Sequence, residues 1–382
     1  MTRRLGEGGI DVVHAAIDRS LGRKIALKSL RAGRGSSTHA ELRFIAEARL
    51  TGKLEHPGIM PVYELGERDA GGLYYTMPLV RGETFADALA AAGDRLDVRL
   101  RLLPRLHDTC QAIAYAHSQG VIHRDLKPAN VMLATFGRTL VLDWGLAKPV
   151  GRPNTVDDSG PYADGASTIR SGPLDASSHD AGVRTADGAI VGTPAYMAPE
   201  QARGERDAID LRSDVWALGA MLYELLTGRP PFRARSAVAL VHKVANETPK
   251  PVLERIPRAP RELAAIADRA LQRDPDTRYP DAGAMLRDLE AYQAGDRVQA
   301  HRYGLADLAA RWVRRHRATV TAIGLLLAGL GIAWIVRDGL EARELAARRA
   351  TEEREALADV DALLAQARRG ATRAERTPSS PD

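Results

Sequence analysis

Apolar and polar residues alternate in two neighbouring stretches near the start of the chain, "VVHAAID" (Val12 to Asp18) and "KIALKSL" (Lys24 to Leu30). That period of two predicts a pair of strands, with "SLG" as the turn between them. Glu41 to Leu54 repeats its apolar positions at helical spacing. "PVYELGE" and "LYYTMPLV" then read as strands again, and from Leu96 onward helical patterns dominate. Strands first and helices after predict an α+β fold. One stretch breaks every amphipathic pattern: "ATVTAIGLLLAGLGIAWIV", Ala318 to Val336, carries no charge. At ~1.5 Å per residue, such a helix matches the hydrocarbon core of a bilayer.

Trp312 and Trp334 stand near the two ends of that stretch, where interfacial tryptophans gather. The alternative is a buried core helix, but an apolar surface all round, bounded by Arg317 and Arg337, favours the membrane. Gly324 and Ala328 form a small-xxx-small pair, which serves helix pairing or faces lipid. Arg311, Arg314, Arg315 and Arg317 crowd the N-terminal flank, against Arg337, Arg343, Arg348 and Arg349 beyond the span. The excess is small and places the N-terminal part inside, in the cytoplasm.

Composition refines this picture. The chain has 382 residues, 45% hydrophobic and 27% charged, enough for one large or two ordinary domains. Its single cysteine, Cys110, excludes an intrachain disulfide and reads as a core residue. The net charge of +5 is a weak hint of nucleic acid. The basic residues are scattered except for "RWVRRHR" beside the span, so no nucleic-acid partner is expected. Met1 to Arg4 is polar and forms no signal peptide. Pro149 to Ile190 is rich in Gly, Pro, Ser, Thr and Asp and reads as a flexible loop. No internal repeat is evident.

Chemistry enters with "LGEGGIDVVHAA", Leu5 to Ala16. A glycine loop acts through backbone N–H groups that reach phosphates where no Cβ intrudes. Gly6 and Gly8 fit that use, whereas the third position holds the carboxylate of Asp11. Further on come "IALK", "FIAEARL", "HRDLKPAN", "LDWGLAK", "GTPAYMAPE", "SDVWALG" and "DPDTRYP". Each is a modest signal alone; in this order they leave little room for chance. Residues 3 to 293 resemble a eukaryotic-like serine/threonine protein kinase. With one C-terminal transmembrane helix the chain is similar to the bacterial receptor-type kinases.

The resemblance implies a bilobal protein kinase fold, with a small β-rich N-lobe and a large helical C-lobe, plus a single transmembrane helix. The divisions expected are an N-lobe over 1–80, its first strand cut short, and a C-lobe over 81–295 with a long activation segment at 143–200. A basic juxtamembrane segment follows at 296–317, the span at 318–336, a helical tail at 337–369 and a disordered tail at 370–382. The implied activity is transfer of the ATP γ-phosphate to Ser or Thr hydroxyls of protein substrates, with magnesium. Asp125 would accept the hydroxyl proton, and Lys127 would touch the transferring phosphate. Asn130 and Asp143 would hold magnesium. Lys28 would reach the α- and β-phosphates, with Glu47 as its partner.

By the same resemblance Gly6 and Gly8 would cradle phosphate. Val13 and Ala26 would roof the adenine, Met132 would lie beneath it, Met77 would be the gatekeeper and Val80 would offer hinge backbone groups. Trp144 stands where phenylalanine is most common, and its size could bias an inactive arrangement. Thr193, with Lys127, argues for Ser/Thr over Tyr. Arg124 is a ready partner for a phosphate on the activation segment, and Thr185, eight residues before Thr193, is the phosphorylation candidate. Glu200 is expected to pair with Arg278, and Asp214 to hold the catalytic loop by its amides. Asp11 would repel a nearby polyphosphate by about 1 kcal/mol, weakening nucleotide binding.

Two other readings stay open. One is a nucleotide-binding pseudokinase scaffold, suggested by Asp11, Trp144 and the short first strand. The other is a membrane interaction protein acting through its tail, where Leu357, Val360, Leu364 and Ala367 share a helical face that could form a homodimer.

Overall fold

A computed structural model describes residues 3–7, 11–30, 38–68, 72–149, 193–304, 313 and 316–374. The chain divides into two compact units, residues 1–302 and 303–382.

The first unit opens with a five-stranded antiparallel sheet. Its strands are β1 (Arg3–Glu7), β2 (Asp11–Asp18), β3 (Arg23–Leu30), β4 (Glu64–Glu67) and β5 (Leu73–Pro78), in the order β1-β2-β3-β5-β4. β2 and β3 pair antiparallel, so that Val13 faces Lys28 and Ala15 faces Ala26. β3 in turn pairs with β5, placing Ala26 against Met77 and Lys28 against Tyr75. β1 is five residues long and shifts register between Arg4 and Gly6. Helix α1 (Thr38–Thr51) packs its Phe44 and Ala48 against Tyr75 of the sheet. It starts and ends three residues earlier than the apolar spacing of Glu41 to Leu54 predicts.

The rest of the unit is helical, around two small sheets. β6 (Gly82–Thr84), β8 (Val131–Ala134) and β9 (Thr139–Val141) form one; β7 (Val121–Ile122) and β10 (Lys148–Pro149) form the other. The helices are α2 (Phe85–Ala92), α3 (Leu96–Leu100), α4 (Leu103–Ser118), α5 (Pro199–Ala202), α6 (Leu211–Thr227), α7 (Ala237–Asn246), α8 (Val252–Arg255), α9 (Arg261–Ala270) and α10 (Ala282–Ala294). α6 is buried almost all round, which identifies it as the axis of the core. Asp210 caps its N-terminus, accepting from the Arg212 N–H, and Gly228 ends it in the left-handed region at φ 76°. The architecture is the expected β-sheet lobe followed by a helical lobe.

In the second unit one helix, α11 (Arg317–Ala374), runs through the uncharged stretch and on into the Ala/Arg/Glu tail without a break at 337 or 370. It is long and apolar enough to cross a membrane. Leu325, Leu326, Leu327, Leu330, Ile332 and Trp334 are all exposed on it, as are Leu357, Val360 and Leu364 in the tail. Pro149 to Ile190 falls, but for Pro149 itself, outside the described residues.

Candidate active site

The centre of the site is an ion pair. Lys28, on β3, places its Nζ 2.7 Å from Glu47 Oε1 on α1. Tyr75, facing Lys28 across β3 and β5, donates its hydroxyl to the same Glu47 oxygen at 2.8 Å. Burial pushes the Tyr75 phenol well up, so it stays a donor. Burial alone would lower the Lys28 pKa. Glu47, Tyr75, Asp143 and Asp11 outweigh it and hold the ammonium well above its usual range. Lys28 is therefore a permanently charged group, nine-tenths buried, with a fixed position.

A second group of residues comes from the loop between β7 and β8. Lys127 Nζ lies 3.0 Å from Asp125 Oδ2. Asn130 donates its amide N–H to the Asp125 carbonyl at 2.8 Å and to Asp125 Oδ2 at 3.2 Å. That commitment of the nitrogen leaves the amide oxygen as the side chain's remaining donor atom for a cation. Burial raises the Asp125 pKa, and Lys127 draws it back only in part.

Asp143 joins the two groups. Its Oδ1 is 3.8 Å from Lys28 Nζ, and the Leu142 N–H beside it donates to the Asn130 carbonyl at 2.8 Å. Desolvation by the neighbouring protein groups raises the Asp143 pKa, but Lys28, His123, Lys127 and the Gly145 N–H together bring it below the usual carboxylate range. Its side chain is about half exposed, at 52%. Gly145 fits a close approach: a Cβ there would sit 3.2 Å from Glu47 Oε2 and 3.4 Å from Asp143 Oδ1.

The backbone is strained where these groups meet. Among the described non-glycine residues only Arg124 (φ 70°), Phe136 (φ 60°) and Asp143 (φ 59°) have positive φ, and the first and last flank this site. Asp214, in the first turn of α6, accepts the His123 N–H at 2.7 Å and the Arg124 N–H at 2.9 Å. Gln201 donates to the Arg124 carbonyl at 2.9 Å and accepts the Ala198 N–H at 3.0 Å, tying the loop to "GTPAYMAPE". Glu200 receives the Arg278 guanidinium on both oxygens, at 2.8 and 2.9 Å, fully buried. Trp144 is in the core beside the His123 ring, 4.7 Å between centroids, and donates to the Val141 carbonyl at 3.4 Å. Trp144 is accommodated here together with the paired Lys28 and Glu47.

The structure thus brings together Lys28, Glu47, Asp125, Lys127, Asn130 and Asp143. Val13, Ala26 and Met77 fall on adjoining strands of the sheet. Gly6 faces Val13 from β1, Val80 follows β5 half-buried, and Met132 lies half-buried on β8. Gly8 and Thr185 lie outside the described residues, as does the side chain of Thr193. Tyr75, Gln201 and His117 are functional neighbours that sequence reasoning missed. Asp11 is placed differently from expectation: it is paired with Lys28, 3.1 Å away.

Among the described residues no group of three or more His, Cys, Asp or Glu side chains forms a metal cage. Asn130 and Asp143 offer hard oxygen donors, few in number, and one of them is a solvent-facing carboxylate. That donor chemistry fits magnesium, which keeps few protein ligands and shares phosphate oxygens.

Residues 1–288 match the protein kinase domain family. The serine/threonine-protein kinase PknB of Mycobacterium tuberculosis is 36% identical over 299 residues, covering 78% of this chain and 43% of that protein. A probable serine/threonine-protein kinase of Streptomyces coelicolor is 37% identical, covering 78% and 40%. The serine/threonine-protein kinase PknD of Protochlamydia amoebophila is 35% identical, covering 77% and 30%. The chain spans less than half the length of these curated relatives. Its match to the domain extends over about three-quarters of its residues, together with the cleft that Lys28, Asp125 and Asp143 build, and on that ground the chain belongs to the protein kinase family.

Proposed function

We propose that the protein is a serine/threonine kinase that transfers the γ-phosphoryl group of ATP to hydroxyls of protein substrates, held at a membrane by α11 with its kinase domain cytoplasmic. The observation that carries the reading is the closed Lys28–Glu47 pair at 2.7 Å with Asp143 3.8 Å from the same ammonium. Phosphoryl transfer needs alignment and charge neutralisation more than covalent chemistry. Lys28 binds the α- and β-phosphates in a position that Glu47 and Tyr75 fix. Asp125 orients the substrate hydroxyl and takes its proton, and its raised pKa makes it a stronger base than an ordinary aspartate. Lys127, 3.0 Å from Asp125, neutralises charge on the transferring group. Asn130 and Asp143 would hold magnesium, which supplies further neutralisation of the phosphate oxygens.

Gly6 and Gly8 approach the phosphates, Val13, Ala26 and Met132 enclose the adenine, and Met77 and Val80 border it. Phosphorylation of Thr185, read through Arg124, is the proposed activation event, with Thr193 supporting Ser/Thr specificity. The similarity to kinases named serine/threonine-specific supports the same preference. The test is phosphate transfer from magnesium-ATP by the detergent-solubilised full chain to a generic basic protein. Transfer to Ser and Thr, absent in Asp125→Ala, is expected; transfer that survives this substitution overturns the assignment. Asp11 favours a second reading, a pseudokinase scaffold, because its carboxylate already occupies Lys28; nucleotide binding by calorimetry together with no phosphate transfer selects it.

A further inference from the structure

One charged side chain of the cleft has no part in that scheme. Asp11 opens β2, two positions before Val13, and Val13 is the register partner of Lys28. Residues two apart on a strand share a face, so Asp11 reaches Lys28 on the diagonal of the strand pair. Its Oδ2 lies 3.1 Å from Nζ, closer than Asp143 and second only to Glu47. The carboxylate is 25% exposed, whereas Glu47 behind Lys28 is 6% exposed and locked by Tyr75. Of the three carboxylates on this ammonium, Asp11 is the one carried by the glycine-loop hairpin, next to the phosphate-binding backbone. Counting Asp125 and Lys127, four carboxylates face two ammonium groups, a surplus of negative charge where a triphosphate must enter.

We propose that Asp11 is an internal substitute for the nucleotide phosphate: it neutralises Lys28 while the cleft is empty and must yield that ammonium to a phosphate oxygen when ATP or ADP binds. The proposal rests on the kinase reading of the cleft. It goes beyond repulsion between two anions, because Asp11 acts through Lys28, as a positioning residue. Three consequences separate it from a general effect on the loop. The penalty falls on nucleotides that carry phosphate and spares adenosine. It applies to ADP as to ATP, so it hastens product departure as much as it weakens substrate binding. It disappears when Lys28 is removed.

The experiment measures binding of magnesium-ATP, magnesium-ADP and adenosine to the detergent-solubilised full chain by calorimetry, with thermal melts verifying that each variant folds. Asp11→Asn removes the charge and keeps the side-chain size; Asp11→Gly also frees the backbone. Asp11→Asn is expected to bind both nucleotides about five- to tenfold more tightly, with adenosine unchanged. In a Lys28→Met background the same substitution is expected to have no effect. Unchanged nucleotide affinity in Asp11→Asn, or equal tightening of adenosine, overturns the proposal. So does an Asp11→Gly effect without an Asp11→Asn effect, which would assign the change to backbone freedom. If folded wild type and Asp11→Asn both fail to bind magnesium-ATP, the nucleotide reading itself falls and this proposal with it.

Discussion

Replacing Asp214 by Asn tests how the catalytic loop is held. The carboxylate is 1% exposed and receives three donors: the His123 N–H at 2.7 Å, the Arg124 N–H at 2.9 Å and His117 Nε2 at 3.0 Å. His117 Nδ1 accepts the Ala282 N–H at 3.1 Å, so Nε2 carries the proton that Asp214 accepts. An asparagine has a single acceptor oxygen, and its NH2 must face one of these donors. One charge-assisted bond worth about 1.5–3 kcal/mol is lost, and a buried donor left unpaired costs about 1–3 kcal/mol more. The expected destabilisation is about 3–5 kcal/mol. The same bonds restrain Arg124 at φ 70°, a conformation that itself costs about 1–3 kcal/mol, so the freed loop relaxes and displaces Asp125. Urea unfolding of the full chain in detergent, followed by fluorescence of the buried Trp144 and Trp216, gives the stability; phosphate transfer gives the rate. The kcat is expected to fall by about a hundredfold, the cost of a small misplacement of the proposed base Asp125. Burial would raise the Asp214 pKa, but His117, His123 and the backbone N–H groups bring it below its ordinary value. A depressed native pKa means stability that is present above the unfolded value, about 3.9, and lost as pH falls through the native one. The gap between wild type and variant should therefore narrow below about pH 4. A loss under about 1 kcal/mol with kcat within about twofold of wild type refutes the reasoning.

Tyr75→Phe removes the hydroxyl that donates to Glu47 at 2.8 Å. A hydrogen bond to a charged group is worth about 1.5 kcal/mol, so kcat/KM for ATP should drop by about tenfold; an unchanged value shows that Lys28 alone fixes Glu47. Cys110 is fully buried, donates its thiol to the Ala282 carbonyl at 3.3 Å and has its pKa raised by burial. It should resist iodoacetamide in the native chain and label fully in guanidinium, which mass spectrometry reads directly; native labelling would place α4 at the surface.

Much of this was legible because strand period and motif order are local properties. The stretches "VVHAAID" and "KIALKSL" read as a strand pair joined at "SLG", and the structure pairs them with Val13 opposite Lys28. The grouping of Lys28, Asp125, Asn130 and Asp143 was an inference from resemblance, since no local pattern unites residues so far apart. What escaped was support from residues with an ordinary local reading. Tyr75 reads as a strand former, His117 as a core histidine and Gln201 as a surface residue of a short helix. Each acquires its role only when a second element arrives, respectively α1, α6 and the catalytic loop. The sequence sets Asp11 against the phosphates; its pairing with Lys28 depends on the register of β2 and β3, which only the structure shows.

The two strained positions of the cleft are held by buried polar groups around them. Arg124 and Asp143 both occupy the left-handed region, and neither has glycine's freedom there. The surrounding structure must over-determine them. For Arg124 the anchors are Asp214 from α6 and Gln201 from α5, which take its N–H and its carbonyl. For Asp143 they are Trp144, buried against His123, and Leu142, bonded to the Asn130 carbonyl. His123 belongs to both sets: its N–H goes to Asp214, its Nε2 to the Leu142 carbonyl at 3.1 Å, and its ring packs on Trp144. One imidazole thus couples the loop that carries Asp125 to the segment after β9 that carries Asp143. A buried polar network of this kind is stable only when complete. A change that leaves Asp125 and Asp143 intact but unpairs His123 should therefore disturb both at once.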